Sequence, residues 1–391
     1  MNILNFDLKE RNIIIGICII FSLRVIGMFI VLPVFSTYGI FLKDSTTFLV
    51  GVAVGIYGLF QAIFQIPYGW LSDKIGRKFV IILGLLFFFI GSCICFLSNS
   101  IFGIILGRSL QGSGAISSVC MALLSDVISK KNRTKAMGLL GISFGISFII
   151  SVVISPIIVQ IFGFRYLFLV GILLSIICII IVFFVIPSFV SFTEKFYLKD
   201  EFKNFIYICK NFKLFQLNLN IFFLHMILVL YFFFIPLQLR FYTYFSHISW
   251  IVYFITIVIS FVIASPISSY FNKNENKKLV ILLSICGLML SNCMLLLFEK
   301  NSFFLIFAIQ TFFVVFSFFE MILPILVSEN APIRYKGTSM AVYSISQFLG
   351  SSIGSVLGGF FLNNFNSYFL LFITLILNCI WFFVNFLCLK M

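Results

Sequence analysis

Charge is scarce in this sequence, and negative charge most of all: of 391 residues only 12 are Asp or Glu, against 26 Lys or Arg, and the charged residues together make up 10%. Soluble domains carry about 25% charged residues, so an ordinary water-facing surface is excluded. The two histidines, His225 and His247, stand apart from one another and from any acidic cluster. That excludes a His-rich metal set or a Ser-His-Asp arrangement, and no enzyme chemistry or cofactor is expected. No Gly-rich loop ending in Lys-Ser/Thr occurs, so ATP is not the expected energy source. There is no CxxC pair, and the 10 cysteines fall almost entirely inside apolar runs, away from either histidine. Neither a disulfide framework nor a metal site follows, and these thiols read as small apolar filler.

What is abundant is hydrocarbon, at 62% hydrophobic residues and a mean hydropathy of +1.20. A helix needs about 20 apolar residues to cross a bilayer. Twelve such runs are present, at 12–36, 47–72, 79–97, 101–124, 135–160, 165–187, 213–238, 247–271, 278–298, 303–328, 336–361 and 367–389. The first is too long for a signal peptide and lacks a small-residue cleavage site, so it is retained as span one. An even number of spans puts both termini on one side. Basic residues accumulate in short cytoplasmic loops, and 20 of the 26 fall on the side of the N terminus, which is therefore expected to be cytoplasmic. The same dispersal over short loops accounts for the net charge of +14 without nucleic acid, because no continuous basic face forms. The 56 phenylalanines, with the excess of Ile, Lys and Asn, fit translation of an AT-rich genome and read as lipid-facing filler.

The longest internal polar stretch, 189–212, divides the chain into an N-terminal bundle at 1–188, a cytoplasmic linker, and a C-terminal bundle at 213–391. Small residues recur every third span: Gly51, Ala53, Gly55 and Gly58 in span two, Gly138, Gly141 and Gly145 in span five, Ser260, Ala264 and Ser268 in span eight, Gly350, Gly354, Gly358 and Gly359 in span eleven. Stacked three-helix repeats would give that register, since small residues let backbones approach.

The turn between spans two and three, Gly69-Trp70-Leu71-Ser72-Asp73-Lys74-Ile75-Gly76-Arg77-Lys78, holds more chemistry than a short hairpin needs. Topogenic charge accounts for Lys74 and Lys78 but not for Asp73, Gly69 or Gly76. This motif resembles the loop 2-3 signature of the major facilitator superfamily. A second resemblance is the Arg-bearing span four, Gly107-Arg108-Ser109-Leu110-Gln111-Gly112. Phe21-Ser22-Leu23-Arg24, Phe64-Gln65-Ile66-Pro67, Leu124-Ser125-Asp126, Tyr335-Lys336-Gly337-Thr338 and Ser346-Gln347-Phe348-Leu349-Gly350 are similar to the YajR-like subgroup, across all twelve spans. YajR-like proteins resemble a transporter with an appended ferredoxin-like domain, and no such domain is expected here. The resemblance implies an all-α membrane protein with twelve helices in two six-helix bundles, each of 3+3 inverted repeats. It also implies that Asp73 faces the start of span eleven near Gly337, while Arg77 pairs with Asp126. Gly69, Asp73, Gly76, Arg77, Lys78, Asp126 and Gly337 would then form a conformational latch.

Ionisable groups inside the hydrocarbon are functional hypotheses by default. Arg24 lies in span one, Arg108 in span four and Glu320 in span ten, with His225 in span seven. The family lines its central cavity with those four spans. Glu320 is the expected proton carrier, since burial disfavours a charged carboxylate. Arg24 or Arg108 would tune it or receive an anionic group, against the alternative of arginines satisfied by helix-end carbonyls or Gln. His225 also fits a buried amphipathic residue. A channel would need a ring of pore residues or a selectivity loop, and none is visible.

The expected function is therefore secondary transport of a small molecule across a bacterial inner membrane by a monomer, with protons as coupling ion and export as the direction. The alternative is a facilitator or uptake carrier. Antiporters of the family carry Gly-Pro and paired glycines late in span five; here Ser155-Pro156 keeps the proline and lacks the glycines. The counterpart of the turn motif, Tyr270 to Lys278, is degenerate.

Overall fold

In lipid a spanning segment must satisfy its own backbone, which for apolar runs of this length means helix. The computed structural model describes residues 8–128, 133–186, 206–242, 248–273, 277–298, 301–332 and 336–388. Most of the 189–212 linker and the centre of the degenerate turn at 274–276 lie outside them.

Span one is two helices, α1 (Leu8–Phe29) and α2 (Leu32–Tyr38). The cause is Pro33: its ring clashes with the carbonyl four residues earlier, that of Phe29, and it has no N–H to offer it. Span two is α3 (Thr47–Ile75) and span three α4 (Arg77–Leu97). Between them Gly76 takes φ 97°, a left-handed conformation that only glycine adopts cheaply. Span four is broken into α5 (Ile101–Ser113) and α6 (Ser117–Val127). At the break, a Cβ on Gly114 would stand 2.2 Å from the Gly84 carbonyl of α4. Spans five and six are α7 (Arg133–Ile161) and α8 (Tyr166–Val185). The remaining spans, seven to twelve, are α9 (Phe212–Phe241), α10 (Ser249–Lys273), α11 (Lys277–Leu297), α12 (Ser302–Asn330), α13 (Lys336–Asn364) and α14 (Ser367–Cys388).

Among the described residues 11 helices are long and apolar enough to cross a membrane. Span four completes the twelve, its two pieces of 13 and 11 residues each being too short alone. Side chains sort by face: α4 buries Val80, Ile81, Gly84, Leu85, Phe88, Gly91, Ser92 and Cys95, a helical stripe, while Phe79, Leu86 and Ile90 point outward.

The chain forms two compact units. One comprises residues 1–31 and 56–202, the other 32–55 and 203–391. The second unit thus takes in α2 and the first turns of α3, a division that differs from the expected 1–188 and 213–391. The reason is close packing: the Ser36 hydroxyl donates to the Phe232 carbonyl of α9 at 3.1 Å. A Cβ on Gly51 would lie 2.4 Å from the Ser355 carbonyl of α13, and one on Gly359 would lie 2.8 Å from the Gly51 Cα. Gly350 and Gly354 bring α13 equally close to the Phe222 and Met226 carbonyls of α9. In span five, by contrast, Gly141 has open space among the described residues, whereas in the first unit a Cβ on Gly91 of α4 would stand 2.4 Å from the Gly107 carbonyl of α5.

Candidate functional site

In the second unit, α9 is buried along most of its length and carries His225, which is fully buried. Glu320 comes from α12 and Gln347 from α13. His225 Nε2 lies 2.7 Å from the Gln347 amide nitrogen and 3.3 Å from Glu320 Oε1. With the amide nitrogen toward the ring, a donor only, Nε2 is the acceptor in the neutral tautomer that leaves it unprotonated. A carboxylate beside that accepting nitrogen makes a hydrogen bond only if it carries the proton itself. When the proton sits on Nε2 instead, the imidazolium donates to Glu320, and the amide must turn its oxygen toward the ring. The Glu320 side chain retains 20% exposure and that of His225 none, although the Glu320 oxygen facing the ring, Oε1, is itself buried. Phe316 lies against the His225 ring, and Tyr343 of α13 is buried.

The first unit holds a buried cluster of opposite character. Arg24 of α1 donates to the Tyr57 hydroxyl, to Gln61 Oε1 at 3.3 Å, and to the Gln111 and Gly114 carbonyls at 2.7 and 3.2 Å. Those carbonyls stand at the break between α5 and α6, where each also accepts one backbone N–H, from Gly114 and Ile116 respectively, and the negative end of a helix favours a cation. The guanidinium also stacks 4.1 Å from the Phe88 ring centroid. Arg24 is thus hydrogen-bonded to carbonyls at the break between α5 and α6. Arg108 differs. Among the described residues its hydrogen bond is a single one, to Gln111 Oε1 at 3.0 Å, and it sits 4.4 Å from the Tyr57 ring centroid.

The turn motif gathers Asp73, Arg77 and Asp126. Arg77 pairs with Asp73 in its own turn, with the Asp126 carboxylate of α6 at 3.0 Å, and with the Ser72 hydroxyl. Gly69 has only Ser118 Oγ near, 3.8 Å from a would-be Cβ, and Gly337 is exposed with open space around it. Lys78 donates to the Phe183 and Ile186 carbonyls at 3.0 and 2.8 Å, closing the C-terminal end of α8. Lys278 does the same for α14 through the Phe386 carbonyl at 2.6 Å.

Sequence reasoning had not singled out Tyr57, Gln61, Gln111, Tyr343 or Gln347 as site residues. The available signal was polarity inside apolar runs, which Gln61, Gln111 and Gln347 share with many structural amides.

The family model described as Major Facilitator Superfamily matches residues 13–257 and 217–390. An uncharacterized transporter of Buchnera aphidicola subsp. Baizongia pistaciae is 47% identical over 97% of this chain and 98% of its own length. The inner membrane transport protein YajR of Escherichia coli is 40% identical, covering 90% of this chain and 77% of that protein. Among solved structures, a D-xylose-proton symporter superposes with a TM-score of 0.77 at 13% identity, over 97% of this chain and 98% of that one.

Proposed function

We propose, from the premise that this chain belongs to the major facilitator superfamily and is a multi-pass membrane transporter, not an enzyme, that it exports a small molecule in exchange for protons. The observation that carries the proposal is the contact of Glu320 with His225, 3.3 Å apart on α12 and α9, with the Gln347 amide of α13 on the same imidazole nitrogen. Three helices of one unit then share a hydrogen-bond arrangement that differs between the two proton positions. Taking up or losing that proton changes what holds them together, which is what coupling an ion to a rocking transporter requires. At the other motif, Asp73, Arg77 and Asp126 serve as the conformational latch, with Arg77 as its shared cation.

The test uses inverted membrane vesicles acidified inside and loaded with a pH-sensitive dye. Compounds that are exported collapse the gradient in wild-type vesicles. Glu320→Gln is expected to abolish this dissipation and to leave compound movement, if any, independent of pH. Dissipation by Glu320→Gln vesicles equal to wild type would refute the proton role. Movement without any dissipation in wild type would make the chain a facilitator, and dissipation only with the reverse gradient an uptake carrier.

A further inference from the structure

Two arginines inside a membrane bundle demand an account of their charge, because a guanidinium stays protonated in proteins and an uncompensated buried charge is costly. In the first unit the described carboxylates are Glu10, Asp73 and Asp126. Asp73 and Asp126 are both held by Arg77, and Glu10 lies 14 residues before Arg24 on the same helix, about 21 Å away along its axis. Among the described residues of this unit, the Arg24 and Arg108 cluster therefore carries two positive charges without a carboxylate partner. Arg24 is compensated by helix-end carbonyls, Gln61 and aromatic faces.

Arg108 is not compensated in this way. It is 3% exposed, makes one hydrogen bond to a neutral amide, and its Nε has no hydrogen-bond partner among the described residues. Beside it the Tyr57 hydroxyl accepts from Arg24, so its own proton is free to be donated. The site thus offers a planar fork of donors and an adjacent O–H, with acceptors in deficit. A carboxylate, with two acceptor oxygens and one negative charge, matches that fork bidentately. A neutral amide or alcohol would leave the charge unpaired.

We propose that Arg108 and Tyr57 form the subsite for an anionic substrate group, and that the transported compound is an organic monocarboxylate. The inference rests on the reading of the chain as a transporter but not on its coupling to protons. Gln111 positions Arg108, accepting from it through Oε1 while its nitrogen donates to Ser92 at 2.8 Å.

The experiment measures thermal unfolding of the purified full chain in detergent at pH 8, with acetate, benzoate and decanoate compared with their amides, and with chloride alone. At least one carboxylate is expected to raise the midpoint in a saturable manner, with its amide inert. Arg108→Gln should abolish the shift, and Arg108→Lys, which keeps the charge and loses the fork, should weaken apparent binding about tenfold or more. If Arg108→Gln does not fold, Arg108→Lys and Tyr57→Phe decide the matter by the same weakening. Glu320→Gln should retain carboxylate binding, so the proton reading and this one fail separately. The proposal is overturned if no carboxylate shifts the midpoint, if amides act equally, if the shift survives both Arg108 substitutions, or if chloride alone produces the full effect.

Discussion

Arg77 is the one residue of the turn motif that engages two carboxylates, Asp73 four positions before it and Asp126 on another helix. Exposed ion pairs contribute about 0–1 kcal/mol, and Asp126 is 38% exposed. The value of this triad therefore lies in geometry rather than stability. Asp73→Asn is expected to reach the membrane at wild-type levels and to unfold at a similar temperature, yet to lose transport in the vesicle assay. Normal transport by a well-expressed Asp73→Asn protein would remove the latch. Lys78, the last residue of the same motif, spends its charge differently: it closes the carbonyl end of α8, where a cation is favoured.

At the scale of elements, α13 is where the packing converges. Its glycines lie against α9 backbone at Gly350 and Gly354 and against α3 at Gly359, and Gln347, one turn before Gly350, touches His225. Close backbone approach of this kind admits no side chain between the helices, so α3 and α13 either pack fully or part. Transport by alternating access requires that they part. Phe48 of α3 and Phe360 of α13 have ring centroids 6.4 Å apart. A Phe48→Cys, Phe360→Cys double variant should cross-link with a short thiol-reactive reagent and stop transport, and reduction of a cleavable linker should restore it. Undiminished transport by the fully cross-linked protein would show that this contact does not open.

For the whole molecule, the two halves repeat one plan: α4 and α11 are each 21 residues and begin 200 positions apart, at Arg77 and Lys277. The lysine caps obey the same offset, since Lys78 to Ile186 and Lys278 to Phe386 both span 108 positions. Cysteines introduced at positions 9 and 203, in wild type Lys9 and Lys203, should react with an impermeant maleimide in inverted vesicles and not in intact cells; the opposite pattern would reverse the orientation. Hydropathy made the number of helices legible, because length and apolar content alone decide whether a segment crosses lipid. The breaks were not legible by that measure, since a single residue such as Pro33 or Gly114 interrupts a helix while hardly changing the mean hydropathy of a whole span. Small-residue spacing pointed to Gly51 and Gly359, but it gave span five the same weight, although among the described residues Gly141 has open space where a Cβ would stand. Motif resemblance placed Arg77 beside Asp126, while pairing of His225 with Gln347 depends on the rotation of three separate helices, which no local pattern encodes.

The anchoring of Arg24 at Gly114 also has a cost in time. The two residues are 90 positions apart, so at a synthesis rate of about 5–20 residues per second the arginine emerges roughly 5–18 s before its carbonyl partners exist. During that interval span one carries a guanidinium that costs about 2.5–3.5 kcal/mol or more at the bilayer centre. The nascent protein must then keep its first helix at the insertion machinery, or tilted toward the headgroups, until the fourth arrives. Assembly of this bundle is therefore a matter of waiting, with the first segment made among the last to be seated.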